Sequence, residues 1–125
     1  MRTLFAALAA AAFLTTPSFA GDAEKGAKVY KKCVSCHMIG DKAKNRVGPQ
    51  LNGIIGRKIA SVGDYKYSKA LVAYGAAEKT WREDNLAAYL ESPRKVVKGG
   101  RMAFAGLRKQ KDRDNVIAYL KKAAK

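Results

Sequence analysis

The chain has 125 residues, 25 of them Lys or Arg and 10 Asp or Glu, for a formal net charge of +15. That length holds one domain, and 48% apolar residues is too many for a disordered tail. Two Cys and one His exclude a disulfide-stapled scaffold, any multi-histidine metal centre and most hydrolase triads.

The N-terminus reads as an export signal over residues 1–20. Arg2 supplies a positive charge, Leu4 to Leu14 is an unbroken apolar run, and Ser18-Phe19-Ala20 is a small-x-small cleavage pattern. The run is short of the roughly 20 apolar residues that span a bilayer, although an uncut N-terminal anchor remains the alternative. Cleavage after Ala20 leaves a single domain, 21–125, with net charge +14, working outside the cytoplasm.

Beyond that point the pattern is helical. Asp22 is placed to cap a helix from Ala23 to about Lys32, with Gly26, Val29, Tyr30 and Cys33 at helical spacing. Met38 to Asp64 is loop-like and punctuated by glycine. Tyr67 to Tyr74 predicts a short helix ending at Gly75. Thr80 and Glu83 form a candidate capping box for a helix carrying Leu86, Ala87, Tyr89 and Leu90, which Pro93 ends. Gly99 to Gly106 is a second loop. Asp112 starts a last helix with Val116, Ile117 and Leu120 on one side and Lys121-Lys122 near its end. The fold class is all-α, with four to five short helices. So long a loop in so small a domain needs something else to pack it, and a large apolar cofactor meets that need.

Cys33-Val34-Ser35-Cys36-His37 supplies the chemistry. Cys-x-x-Cys-His is the attachment motif of c-type haem. Two thiols about one helical turn apart reach two porphyrin vinyl groups, and the next imidazole points at the iron. A thioredoxin-like thiol pair would need βαβ strands that are missing. A zinc site would lack its fourth ligand, and a structural disulfide would leave His37 unexplained. Haem iron takes His, Met, Cys or Tyr as axial ligands. His37 is the sole His and both Cys are used. Met1 leaves with the signal and Met38 adjoins His37, so Met102 is the candidate for the opposite face. A vacant sixth position or a Lys ligand stays open.

These residues, with Gly48-Pro49-x-Leu51, Gly56-Arg57-Lys58, Trp81, Tyr89-Leu90-x-x-Pro93, Met102-Ala103-Phe104-Ala105-Gly106 and Ile117-Ala118-Tyr119-Leu120-Lys121-Lys122, resemble class I cytochrome c over nearly all of 21–125. The mitochondrial-type proteins and their bacterial periplasmic relatives form that class. The resemblance implies the cytochrome c fold wrapped around one haem c, held by thioethers to Cys33 and Cys36 with His37 and Met102 on iron. It implies that the Pro49 carbonyl accepts the His37 Nδ1–H. Arg57, Tyr67 and Trp81 would bond the haem propionates, Tyr89 would approach the Met102 sulfur, and Phe104 would cover the haem face. Gly26 and Tyr30 would cross the last helix near Val116 and Tyr119. The family usually has Pro and Thr before the ligand Met, where this chain has Lys98 and Gly100. Gly100 removes a hydroxyl that could reach a propionate and softens the loop.

The function expected is one-electron transport in the periplasm, not enzymatic catalysis. A five-coordinate haem with a peroxidase or gas-sensing role is the alternative. Basic residues flank both haem-bearing segments: Lys31, Lys32 and Arg46 on one side, Arg94, Lys95, Lys98 and Arg101 on the other. A ring of these charges predicts acidic redox partners: a cytochrome bc complex as donor, and a terminal oxidase, reaction centre or reductase as acceptor. Nucleic acid is not expected as a partner. Peripheral contact with anionic membrane is compatible with the charge, and the chain is expected to act as a monomer.

Overall fold

A computed structural model describes residues 10–12 and 21–123. The rest of the expected signal segment 1–20, and residues 124 and 125, lie outside the described residues. Five helices follow in order: α1 (Ala23–Tyr30), α2 (Lys69–Glu78), α3 (Glu83–Glu91), α4 (Pro93–Val96) and α5 (Gln110–Ala123). Among the described residues the one β feature is an isolated antiparallel bridge between Lys58 and Thr80. This is the all-α architecture that the sequence predicts.

α1 starts because the Asp22 carboxylate accepts from the amides of Glu24 and Lys25 at 2.9 and 3.2 Å. It ends at Tyr30, two residues earlier than its periodicity suggests. Turns continue the coil instead: Cys33 N donates to Tyr30 O at 2.8 Å and His37 N to Cys33 O at 2.9 Å. α1 crosses α5 at Gly26, where a Cβ would stand 1.9 Å from the Asn115 carbonyl oxygen. Tyr30 and Tyr119 close the same contact with ring centroids 5.0 Å apart.

The other helices depart from expectation for local reasons. α2 begins at Lys69, capped by the Ser68 hydroxyl accepting from Leu71 N at 3.1 Å. It runs through Gly75 rather than ending there. Gly75 is set by packing: a Cβ would lie 2.9 Å from Ile59 Cγ2. The Thr80/Glu83 capping box does not form. Arg82 is the N-cap, and Asn85 closes the turn by accepting from Arg82 N at 2.7 Å and donating to Thr80 O at 2.9 Å. Pro93 stops α3 and also opens α4, since its missing N–H costs nothing at a first helical position. α5 begins at Gln110, two residues before Asp112.

The core includes Tyr30, Ile59, Trp81, Leu86, Val116 and Leu120, all buried. Half-buried apolar side chains lean on it, among them Cys33, Leu51, Leu71, Met102 and Phe104. They come from the motif turn, the long loop, α2 and the 99–106 loop. No helix among the described residues is long and apolar enough to cross a membrane.

Candidate haem site

The turn after α1 carries Cys33, Cys36 and His37, all half-buried, with both cysteines as free thiols. Burial, helped by the neighbouring Cys36, pushes the Cys33 thiol up from its ordinary pKa. His37 Nδ1 lies 2.7 Å from the Pro49 carbonyl. That acceptor makes Nδ1 the protonated nitrogen and leaves the Nε2 lone pair for a metal. Burial holds the imidazole below its ordinary range; the Pro49 contact opposes this, and the Arg57 charge adds to the lowering. Gly48 is required beside it: a Cβ there would stand 2.4 Å from His37 Cε1. Gly48 N in turn donates to Cys36 O at 2.9 Å, tying the Gly-Pro segment to the motif.

Met102 projects from the 99–106 loop and is half-buried. The Tyr89 hydroxyl on α3 lies 3.8 Å from its sulfur, as the resemblance implied. Burial pushes the Tyr89 phenol up to about 12, so it stays a neutral donor. Phe104, two residues on, is also half-buried. The loop is shaped by Gly99 at φ +86 and Gly106 at φ +116. A side chain at Gly106 would strike the Glu91 carbonyl at 2.1 Å. Arg101 Nη2 donates to Lys66 O at 2.8 Å, strapping the methionine loop to the loop before α2.

The polar rim is partly committed to the protein itself. Arg57 Nη1 donates to the Gln50 and Asn52 carbonyls at 2.9 and 3.0 Å. Its Nε is buried with no partner. Burial lowers the guanidinium from its ordinary value, yet an arginine remains charged. Tyr67 OH accepts from Val62 N at 3.0 Å, which leaves its own proton to donate. Trp81 is 5% exposed, between Tyr74 and Tyr89.

Sequence reading missed the polar pins of the long loop. Asn52 exchanges two hydrogen bonds with Gly40, at 2.8 and 2.9 Å. Asn45 donates to Asp64 at 2.8 Å and accepts from Gln50 N at 2.9 Å. The Tyr65 hydroxyl donates to Val47 O at 2.6 Å. Asn and Gly in a loop signal such turns generically, but not which residues pair. The seven basic residues of the predicted ring are all exposed. Arg101 is engaged as described, and Arg46 Nη1 reaches Val34 O at 3.3 Å.

The donor set fits a haem. Two thiols, a neutral imidazole with one nitrogen fixed as donor and a thioether match thioether attachment and axial ligation. The orphaned buried Arg57 Nε–H asks for an anionic acceptor, which a propionate is.

Comparison with known proteins agrees. The family model for cytochrome c matches residues 23–124. A cytochrome c2 from Agrobacterium tumefaciens (strain II Chrys) is 47% identical over 100 residues, covering 80% of this chain and 90% of that protein. A cytochrome c from Arabidopsis thaliana is 42% identical over 109 residues, covering 86% of this chain and 95% of that protein. The solved structure of cytochrome cH from Methylobacterium extorquens matches with a TM-score of 0.74 at 39% identity, covering 82% of this chain and 99% of that one. Fold, motif and likeness define an electron-transport protein that binds haem c covalently through two cysteines, here Cys33 and Cys36. The chain belongs to the cytochrome c family.

Proposed function

We propose that this protein is a periplasmic electron carrier whose haem is ligated by His37 and Met102. The observation that carries the ligation is the Tyr89 hydroxyl held 3.8 Å from the Met102 sulfur, on a chain whose one His already has Nδ1 committed to Pro49. The haem supplies reversible one-electron chemistry at iron. His37 is held in one tautomer by Pro49. Tyr89 orients the Met102 thioether with its neutral O–H. Arg57, Tyr67 and Trp81 would hold the propionates, and Phe104 would keep water from the haem face. With His37 and Met102 both on the iron, the metal would have no position for a substrate, so the reading is electron exchange without catalysis. Methionine ligation favours a higher potential than a second His.

The signal-like segment 1–20 supports export, and the domain is 21–125. The exposed charges of Lys31, Lys32, Arg46, Arg94, Lys95, Lys98 and Arg101 support docking to acidic redox partners at the membrane: a cytochrome bc complex as donor and a terminal oxidase, reaction centre or reductase as acceptor. Such encounters bury little area and are short-lived.

Visible spectroscopy and voltammetry of the exported holoprotein test the ligation. Met102→Ala is expected to lose the methionine-to-iron absorption band of the oxidised protein, lower the potential and admit carbon monoxide. A variant that keeps the parent spectrum and potential would overturn it. Carbon monoxide binding by the unmutated protein would instead point to the five-coordinate, gas-binding or peroxidase reading.

A further inference from the structure

Three aromatic rings run in contact from the methionine to the surface. Tyr89 touches the Met102 sulfur at 3.8 Å through its hydroxyl. Its ring centroid is 5.1 Å from that of Trp81, with the planes tilted by 43°. Trp81 is 5.8 Å from Tyr74, tilted by 40°. Tyr89 and Trp81 are buried, whereas Tyr74 on α2 is half-buried and marks the solvent end. The mechanism of electron carriage uses Tyr89 and Trp81 for other purposes and Tyr74 for none.

We propose that Tyr89, Trp81 and Tyr74 form an outlet for oxidising equivalents, protecting the haem site from peroxide by moving the damage to Tyr74. Tyrosine and tryptophan are among the side chains that give up an electron most readily. Electron transfer falls steeply with distance, so two short steps between touching rings outrun one long jump from the surface. The proposal rests on the haem lying against Met102 and Tyr89.

The chemistry balances with hydrogen peroxide as oxidant, which would react in those molecules where Met102 has left the metal, since the ligated site has no open position. Reducing one peroxide to two waters breaks its O–O bond and takes up two electrons and two protons. At each step the Tyr74 phenol supplies one electron, relayed through Trp81 and Tyr89, and releases one proton to solvent. Each chain has one Tyr74, so that phenol is oxidised twice for each peroxide consumed, the phenoxyl radical being reduced back to phenol in between. A small one-electron reductant such as ascorbate restores the phenol each time.

Tyr74 is better suited to end the relay than the other tyrosines near it. Burial and the carboxylates of Glu78 and Asp84 raise its pKa, while Arg82 opposes them. Those two carboxylates place negative charge where an electron leaves. Arg82 pairs with Glu78 and Asp84 at 3.1 Å each. The Tyr65 proton is instead tied to Val47 O at 2.6 Å. Tyr119 pairs with Tyr30 across the α1/α5 contact, outside the chain of three rings.

The test treats the holoprotein with hydrogen peroxide in the presence of a nitroso spin trap and locates the adduct by peptide mass spectrometry. Bleaching of the haem absorbance is followed in parallel. Adduct at Tyr74 is expected to exceed that at Tyr119 at least tenfold. Trp81→Phe keeps a ring but removes the easily oxidised indole, and should lower the Tyr74 adduct at least tenfold while bleaching accelerates. Tyr74→Phe should leave the potential and spectrum unchanged, abolish the adduct at that position and speed bleaching several-fold. Equal labelling of Tyr74 and Tyr119 would overturn the proposal. So would an unchanged Tyr74 adduct in Trp81→Phe, or unchanged bleaching in Tyr74→Phe. The last comparison stands even if Trp81→Phe does not fold. Met102 ligation is read separately, from the spectrum before peroxide is added, so its failure is distinguishable from failure of the outlet.

Discussion

Tyr30 carries a hydroxyl that finds no partner. The ring is 6% exposed and packs on Tyr119, while the oxygen is buried without a hydrogen bond. An unsatisfied hydroxyl destabilises the folded state, so Tyr30→Phe is expected to raise stability by about 1 kcal/mol. A denaturant melt of the holoprotein at pH 7 measures it. Burial also pushes the phenol from its ordinary 10.0 up to about 12. A pKa raised by folding contributes stability that is whole below the unfolded value and is lost as pH rises toward the folded one. The advantage of the Phe variant should therefore widen between pH 10 and 12. At Gly26 the argument is steric. Both close atoms of Asn115, its carbonyl oxygen and carbon at 1.9 and 2.6 Å from a built Cβ, are backbone and cannot swing away. Gly26→Ala is expected to cost about 3 kcal/mol or more, read as a lower melting temperature with a c-type spectrum retained below it.

At the level of elements, α3 and the methionine loop make separable predictions. The α3 start depends on Asn85, which is 7% exposed and serves Arg82 N and Thr80 O at once. Asn85→Ala removes both bonds and is expected to cost about 2 kcal/mol in a denaturant melt. Because α3 carries Tyr89, the absorption band of the proposed Met102 ligation should weaken at a lower temperature than global unfolding. The cap was not legible in sequence for a physical reason. Arg is a poor N-cap, and Thr80 three residues before Glu83 matches the favoured pattern, but Thr80 is committed to the bridge with Lys58. Asn85 then supplies from inside the helix what the N-cap side chain does not. Gly75 misled in the same way: glycine usually signals a helix end, yet here it admits Ile59 against the helix barrel. What was legible was the chemistry. Cys33, Cys36 and His37 are adjacent in sequence, and the Gly48-Pro49 segment that braces them is short. The Arg57 contacts, by contrast, join backbone carbonyls whose positions depend on how the whole loop folds.

Across the whole molecule the charges are unevenly used. Ion pairs among the described residues engage Arg82, Arg113 and Lys121 with acids on α2 and α3; those of Arg82 and Lys121 are at the surface and contribute little to stability, while the largely buried Arg113 meets the exposed Glu91 only at 4.0 Å. None of the seven basic residues proposed for docking is in such a pair, so their field is left for a partner. The rate with an acidic redox protein should fall with salt, by 10-fold or more from low to high ionic strength. Stopped-flow kinetics of Lys32→Glu and Lys95→Glu should show slower, less salt-dependent reaction, with Lys122→Glu doing much less. Equal effects would mean that net charge alone matters. Arg101→Glu is a poorer probe, since it also breaks the strap to Lys66. The all-α fold was readable because each helix pattern is local. The closure of the fold, which joins Asp22 to Asn115 across 93 positions, was reached only through the family resemblance at Gly26 and Tyr30, since no local pattern encodes it.

That closure bears on where the chain needs to be continuous. Gly21 packs against Asp114, and the described part of α5 ends nine residues further on at Ala123. At 1.5 Å per helical residue the gap from Ala123 back to Gly21 is roughly 14 Å, which a linker of about five residues spans. A short linker would thus close the domain into a ring. Its order could be permuted, with new termini opened at the exposed Asp41-Lys42 turn. A permuted chain of this kind, exported with its haem motif intact, is expected to keep the parent absorption spectrum.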